Sequence, residues 1–257
     1  MSPETSKVIA FAGKGGTGKT TTAALTIRAL VRAGLTPVLG VDADPNSCLG
    51  EMLGAGETRT IGQAREKFAD SKMELPAGVS KETIFQMMMS EIIVEKKGWD
   101  LLVMGRPEGP GCYCFANNIL RKFLESLGGN YRYVVIDHEA GMEHLSRHNT
   151  GRADFLFIVA EPDITSLRAA RRIKDLTAEL GLAIGRSALV LNMTRGGGGI
   201  DDENVRKELE DSTLEVAAEI PYDENLARAE ISKTSFLDLP DDLAAVKAAQ
   251  KLYKIIA

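Results

Sequence analysis

The run Gly13-Lys-Gly-Gly-Thr-Gly-Lys-Thr20 restricts this chain to few architectures. It fits the pattern Gly-x-x-x-x-Gly-Lys-Thr, and its flanks have the matching character. Before it, Val8-Ile9-Ala10-Phe11-Ala12 reads as a short buried strand; after it, Ala23, Ala24, Ile27, Leu30 and Val31 recur at helical spacing until Gly34. Strand, glycine loop and helix N-terminus in this order form an anion site, because the helix's unpaired N–H groups and its dipole face the ligand. The backbone amides of Gly13, Gly15, Gly16, Thr17 and Gly18 are placed to ring phosphates, with Thr21 next in line at the helix start. Lys19 neutralises the phosphates and the Thr20 hydroxyl binds Mg²⁺. A purely structural turn would need neither Lys19 nor Thr20 at these positions.

Two further strand ends carry carboxylates. Pro37-Val-Leu-Gly-Val-Asp42 reads as a second parallel strand and runs into Ala43-Asp44-Pro45-Asn46, while Tyr131-Arg-Tyr-Val-Val-Ile-Asp137 is a β-rich run ending in Asp. The C-terminal ends of strands are where α/β sheets bind ligands. Helix capping or turn chemistry is the alternative use for each of these aspartates.

With Lys14 in the first half of the loop, Lys-Gly-Gly-Thr-Gly-Lys-Thr resembles the deviant Walker A loop of the nitrogenase iron protein, MinD, ParA and ArsA group. That resemblance implies an ATPase that closes as a homodimer on ATP, with Lys14 reaching across a two-fold axis to the partner's nucleotide. It further implies that Asp42 assists Mg²⁺, Asp44 positions the attacking water, and Asp137 holds Mg²⁺ through water as the Walker B residue. His138-Glu-Ala-Gly141 would sense the γ-phosphate. Asn192 matches the position that hydrogen-bonds adenine, and Pro221, Tyr222 and Asp223 resemble the wall of the adenine pocket. Phosphoryl transfer depends mainly on positioning and charge neutralisation, which suits such a set.

The remaining strands are expected at residues 100–105, 155–159, 187–192 and 215–220. Helices are expected at 61–68, 81–95, 115–127 and 166–180, with another at the C-terminus marked by Leu239, Leu243, Val246, Leu252, Tyr253 and Ile256. The expected fold is a P-loop NTPase: one α/β domain over residues 1–257, a doubly wound, mostly parallel sheet of about seven strands with helices on both faces.

Charge and length bear on partners. With 31 basic and 36 acidic residues among 257, the chain carries −5, which gives no electrostatic footprint for nucleic acid. No apolar run approaches the roughly 20 residues of a membrane span, and the N-terminal MSPETSK lacks a signal-peptide core, so a cytoplasmic protein is expected. Lys247, Lys251 and Lys254 lie beside Asp241 and Asp242, so the C-terminal helix reads as core-packed rather than membrane-binding. Arg168, Arg171, Arg172 and Lys174 read as a solvated helix face, with an acidic client as the functional alternative.

Cys112-Tyr-Cys114 is the second informative feature. In extended backbone, residues i and i+2 project to one side, so both thiolates can reach one metal. Two ligands leave a soft-metal site open, and a two-fold interface would supply a second pair for Ni²⁺, Zn²⁺ or a [4Fe–4S] cluster. The string MGRPEGPGCYCFANNILRKFL with DHEAGMEHLSR resembles the CooC-type maturation ATPases of carbon monoxide dehydrogenase. This implies a nickel-inserting metallochaperone for that enzyme or the related acetyl-CoA synthase, its dimer promoted by ATP and by metal at Cys112 and Cys114. The alternatives are an iron–sulfur reductase-like ATPase and a MinD- or ParA-like positioning ATPase. Cys48 reads as structural, Met87, Met88 and Met89 as packing residues, and His144 and His148 receive no metal role.

Overall fold

In the computed structural model, residues 6–46, 48–64, 81–105, 129–139, 152–195 and 202–257 are described, with the backbone alone at 81–86. The apolar runs form strands as their pattern requires. The first strand, β1 (Lys7–Gly13), leads through the glycine loop into α1 (Lys19–Arg32), which stops where Gly34 takes φ +71° and the Leu35 amide bonds the Leu30 carbonyl. Then come β2 (Val38–Ala43), α2 (Leu49–Leu53), α3 (Lys81–Ile92), β3 (Val94–Lys96), β4 (Trp99–Val103), β5 (Tyr133–His138) and β6 (Arg152–Ala160). The chain continues through α4 (Ile164–Glu179), β7 (Ala183–Thr194), α5 (Glu203–Ser212), β8 (Val216–Pro221), α6 (Glu224–Ser232) and a 3₁₀ turn (Phe236–Asp238) to α7 (Ala244–Ile256).

Among the described residues, eight strands make one sheet in the order β3-β4-β2-β5-β1-β6-β7-β8. All neighbours are parallel except β3, which runs antiparallel to β4 at the edge. The seven parallel strands are the seven expected from the sequence. The eighth corrects the expectation of a helix through residue 95: α3 ends at Ile92, and Val94 pairs with Leu101 across a tight reversal at Gly98, which adopts φ +85°. Three residues are too short for a period-two signal.

Alternating residues of the strands feed opposite faces. Ile9, Phe11, Tyr133 and Val135 pack beneath α1 and α7, whereas Ala10 and Ala12 face α4 and Val134 and Ile136 join the cluster that holds Met88 and Met89. Met87 stays 57% exposed, so the methionine run packs around the helix as three successive positions must. The C-terminal helix is core-packed as expected, with Val246, Leu252 and Ile256 buried. Its start is later than the sequence suggests: Leu239 follows the 3₁₀ turn and Leu243 only caps the helix. Among the described residues, no helix is long and apolar enough to cross a membrane.

Chain order reverses at β1, with β2 and β4 built out on one side and β6 to β8 on the other. The crevice outside the carboxyl ends of the strands at such a point is where open α/β sheets take ligands.

Candidate functional site

The glycine loop sits at that crevice, with Lys14, Gly15 and Gly16 exposed and Thr17 and Lys19 buried. Two of its glycines are required by close approach. A Cβ on Gly13 would stand 2.3 Å from the Val159 carbonyl oxygen, and one on Gly18 would stand 2.1 Å from Asn192 Nδ2. Gly16, at φ +83°, borders open space. The N-cap of α1 is Gly18, with no side-chain cap and no acidic residue in the first turn, so the positive end of the helix is left for a bound anion.

Internal bonds hold the loop. Thr17 Oγ1 and Lys19 Nζ both donate to the Lys14 carbonyl, at 2.9 and 3.2 Å. Asn192 Nδ2, buried at the end of β7, donates to the Thr17 carbonyl at 2.9 Å. Burial pulls the Lys19 pKa below its usual value against the opposing charges of Asp137, Asp44 and Glu139, and a further anion beside it would push that pKa back up. Lys14 Nζ donates to Thr165 Oγ1 of its own chain at 3.1 Å; that hydroxyl donates in turn to Asp163, the N-cap of α4. Thr21 Oγ1 donates to Glu230 of α6 at 3.3 Å.

The carboxylates converge because register places them. Asp42 and Asp137 are Cα partners between β2 and β5, and Phe11, two residues before the loop begins, is the partner of Asp137 on β1. Both aspartates are buried. Asp42 accepts from the Leu49 amide at 2.9 Å and the Asp44 amide at 3.2 Å, which pins the segment between β2 and α2; Asp44 accepts from the Asn46 amide at 2.8 Å. Burial, then the charge of Asp137, pushes Asp42 up to about 7. Burial pushes Asp137 up to about 7 as well, opposed by the Thr20 hydroxyl and the Lys19 ammonium. Thr20 faces this carboxylate without closing a hydrogen bond of ordinary geometry, and among the described residues neither oxygen of Asp137 has a hydrogen-bond partner.

Two buried carboxylates side by side, one with both oxygens unused and a hydroxyl beside it, fit a hard divalent cation. Mg²⁺ takes oxygen ligands and would restore the ionised form of both groups. Thr20, Asp42 and Asp137 are the residues that would hold it.

At the far side, Tyr222 is half exposed, with the Arg195 guanidinium 5.6 Å from its ring centroid, and Asp223 caps α6 by accepting from the Asn225 amide. Met193 and Tyr222 border a cavity of ≈ 360 Å³ at the ends of β6 to β8. Pro221 closes β8, paired with Thr194.

Several features escaped sequence reasoning: the Asn192 bond to the loop, the Thr165 partner of Lys14, and Glu230 on Thr21. No sequence signal marks them. Cys48, expected as structural, is exposed at the N-cap of α2, where its thiol donates to the Asn46 carbonyl at 3.7 Å. Arg168 is engaged by Glu208 of α5, and Lys174 Nζ donates to Thr213, so half of the α4 basic cluster is spent within the chain. Cys112, Cys114, His144 and His148 lie outside the described residues. Among the described residues, no group of three or more His, Cys, Asp or Glu side chains is gathered for a metal.

Comparison with known proteins agrees with this geometry. The family model described as the CobQ/CobB/MinD/ParA nucleotide binding domain matches residues 8–236. An uncharacterized ATP-binding protein of Methanocaldococcus jannaschii is 38% identical over 247 residues, covering 95% of this chain and 96% of that protein. The carbon monoxide dehydrogenase accessory protein CooC of Rhodospirillum rubrum is 33% identical over 186 residues, covering 68% of this chain and 70% of its own length. Among solved structures, a ParA family ATPase from Chlorobium tepidum superposes with a TM-score of 0.73 at 21% identity, covering 98% of this chain and 99% of its own. Septum site-determining protein MinD complexed with Mg-ADP, from Pyrococcus horikoshii, does so with a TM-score of 0.70 at 22% identity, covering 98% and 96%. At these identities the structural likeness is one of fold.

Proposed function

This chain belongs to the CobQ/CobB/MinD/ParA nucleotide-binding family and is a P-loop ATPase, and on that premise we propose that it is a metallochaperone that assists nickel insertion into carbon monoxide dehydrogenase or the related acetyl-CoA synthase. The observation that carries this reading is the kinship with CooC at 33% identity, in a chain that itself contains Cys112-Tyr-Cys114.

Lys19 gives up the Lys14 carbonyl and turns to the phosphates, ringed by the amides from Gly13 to Thr21. Thr20, Asp42 and Asp137 hold Mg²⁺, whose charge offsets that of the phosphates when bound. Asp44, on the segment pinned by Asp42, orients the attacking water. Asn192 presents its side-chain oxygen to adenine while its nitrogen stays on the loop, and Pro221, Tyr222 and Asp223 wall the base. Lys14 leaves Thr165 and crosses to the nucleotide of a second copy. In the closed homodimer, two Cys112 and two Cys114 thiolates bind the transferred Ni²⁺, or Zn²⁺ in its place. Nucleotide and metal then raise each other's affinity by the same factor.

The burial of Val246, Leu252 and Ile256 in the core removes the apolar helix face that a membrane-positioning ATPase would need there. The test is metal content with oligomer mass, with and without ATP, on wild type, on Cys112→Ser with Cys114→Ser, and on Lys14→Ala. Wild type should dimerise with ATP and bind one Ni²⁺ or Zn²⁺ per dimer; the cysteine variant should lose the metal and Lys14→Ala the ATP-dependent dimer. Unchanged metal stoichiometry in the cysteine variant would refute the site. Iron with sulfide in anaerobically purified protein would replace nickel by a cluster.

A further inference from the structure

The sheet ends at β8, and among the described residues no strand pairs with its outer edge. An unpaired edge presents a row of backbone donors and acceptors ready for another strand. Along this one runs a groove of ≈ 1010 Å³ between β8 and α7. Its walls are low because the facing residues are small: Ala217 and Ala218 on the strand, Ala244 and Ala248 on the helix.

The rim is cationic. Lys247 and Lys251 stand one helical turn apart on α7, both exposed, and among the described residues neither ammonium has an ion-pair or hydrogen-bond partner. Arg195 stands at the far end, its guanidinium on the Tyr222 ring. Glu219 is the acidic residue in this lining, and it also borders the cavity at the ends of β6 to β8 with Glu161 and Asp163. In a chain of net charge −5, such a rim is a local inversion of sign.

From the open edge, the small walls and the unpaired lysines, we propose that this groove docks an extended acidic segment of a partner protein, added to β8 as a further strand. The backbone edge supplies affinity and the lysines select carboxylates, the usual division in strand addition. A second copy of this chain is a poor occupant, since pairing β8 with β8 sets one lysine row against the other. An anionic bilayer is also a poor one, since the apolar face of α7 is already spent on the core. The proposal does not depend on the metal or on the dimer.

The probe is a fluorescent decapeptide of alternating glutamate and valine, followed by anisotropy. Saturable binding is expected, weakened by salt and weakened about tenfold or more in the double variant Lys247→Glu, Lys251→Glu. Lys247→Gln with Lys251→Gln provides a milder pair, and ATP turnover with thermal unfolding checks that both variants are folded. N-methylation of the peptide at every residue should abolish binding, because it removes the donors that pair with the edge. The lysine–valine counterpart should not bind. Absence of saturable binding, a Kd unaffected by charge reversal, or equal binding of the N-methylated peptide would each overturn the proposal. So would lysine-dependent sedimentation with phosphatidylserine vesicles in the absence of peptide binding.

Discussion

Gly18 and Asn192 are 174 positions apart, yet the fold makes them a single device, and a double-mutant cycle measures it. Gly18 has φ +83°, and a Cβ there would meet Asn192 Nδ2 at 2.1 Å. Gly18→Ala therefore adds left-handed backbone strain of roughly 1–2 kcal/mol. It also evicts the Asn192 amide, whose 2.9 Å bond to the Thr17 carbonyl is buried. Leaving that carbonyl unsatisfied costs about 1–3 kcal/mol, so the single variant should lose about 2–5 kcal/mol. Asn192→Ala loses the bond alone, about 1–3 kcal/mol. In the double variant the clash is gone and the bond is lost only once, so the loss stays at about 2–5 kcal/mol, and the shortfall from additivity is the bond itself, about 1–3 kcal/mol. Urea unfolding of nucleotide-free protein gives the four values. Binding of inorganic tripolyphosphate, which has no base, then separates two roles of Asn192. If the asparagine orients the loop, Asn192→Ala weakens tripolyphosphate binding; if it meets only adenine, the affinity is unchanged. Additivity within about 0.5 kcal/mol together with unchanged tripolyphosphate affinity would show that Gly18 and Asn192 act independently.

Two further outcomes follow from buried groups. Asp42 and Asp137 have folded-state pKa values raised from 3.8 to about 7, so between these limits the unfolded chain binds fewer protons than the folded one. The stability of the nucleotide-free, Mg²⁺-free protein therefore falls as pH rises through that window and levels off above about 7; Asp137→Asn should reduce the slope, raise stability at pH 8 by roughly 1–4 kcal/mol and abolish ATP turnover, and an unchanged slope would contradict the placement of this carboxylate. Arg28 is 1% exposed on α1 and donates to the Leu239 carbonyl and to Asp241, whose side chain is 69% exposed. Arg28→Met should cost about 1–3 kcal/mol in chemical unfolding, because it strips the carbonyl of its donor, whereas Asp241→Asn should cost clearly less; equal losses would show that the ion pair, not the carbonyl, anchors the segment.

Much of the site is legible along the chain because its parts are local. Loop, strand and helix follow one another from Lys7 to Arg32, so glycine spacing and apolar periodicity suffice to place the phosphate cradle. Asp42 and Asp137 each end an apolar run, and period and position alone put them at the carboxyl ends of strands. The seven parallel strands are long, buried and apolar enough to be read one at a time, whereas β3 spans only Val94–Lys96 and owes its existence to pairing with β4.

Which groups meet depends on strand order and packing. Asp42 and Asp137 face each other only because β5 inserts between β2 and β1, and burial there, then the charge of Asp137, raises the pKa of Asp42. Lys14 meets Thr165 across 151 positions, and Arg28 meets the Leu239 carbonyl across 211. Neither pairing follows from residue type, since lysine, threonine and arginine can pair with many groups. The phosphate loop was thus written in the sequence as a cradle, while its support by Asn192, the resting partner of Lys14 and the open basic edge at β8 come from packing. Periodicity reports which face of an element is apolar; only strand order and side-chain approach specify what that face touches.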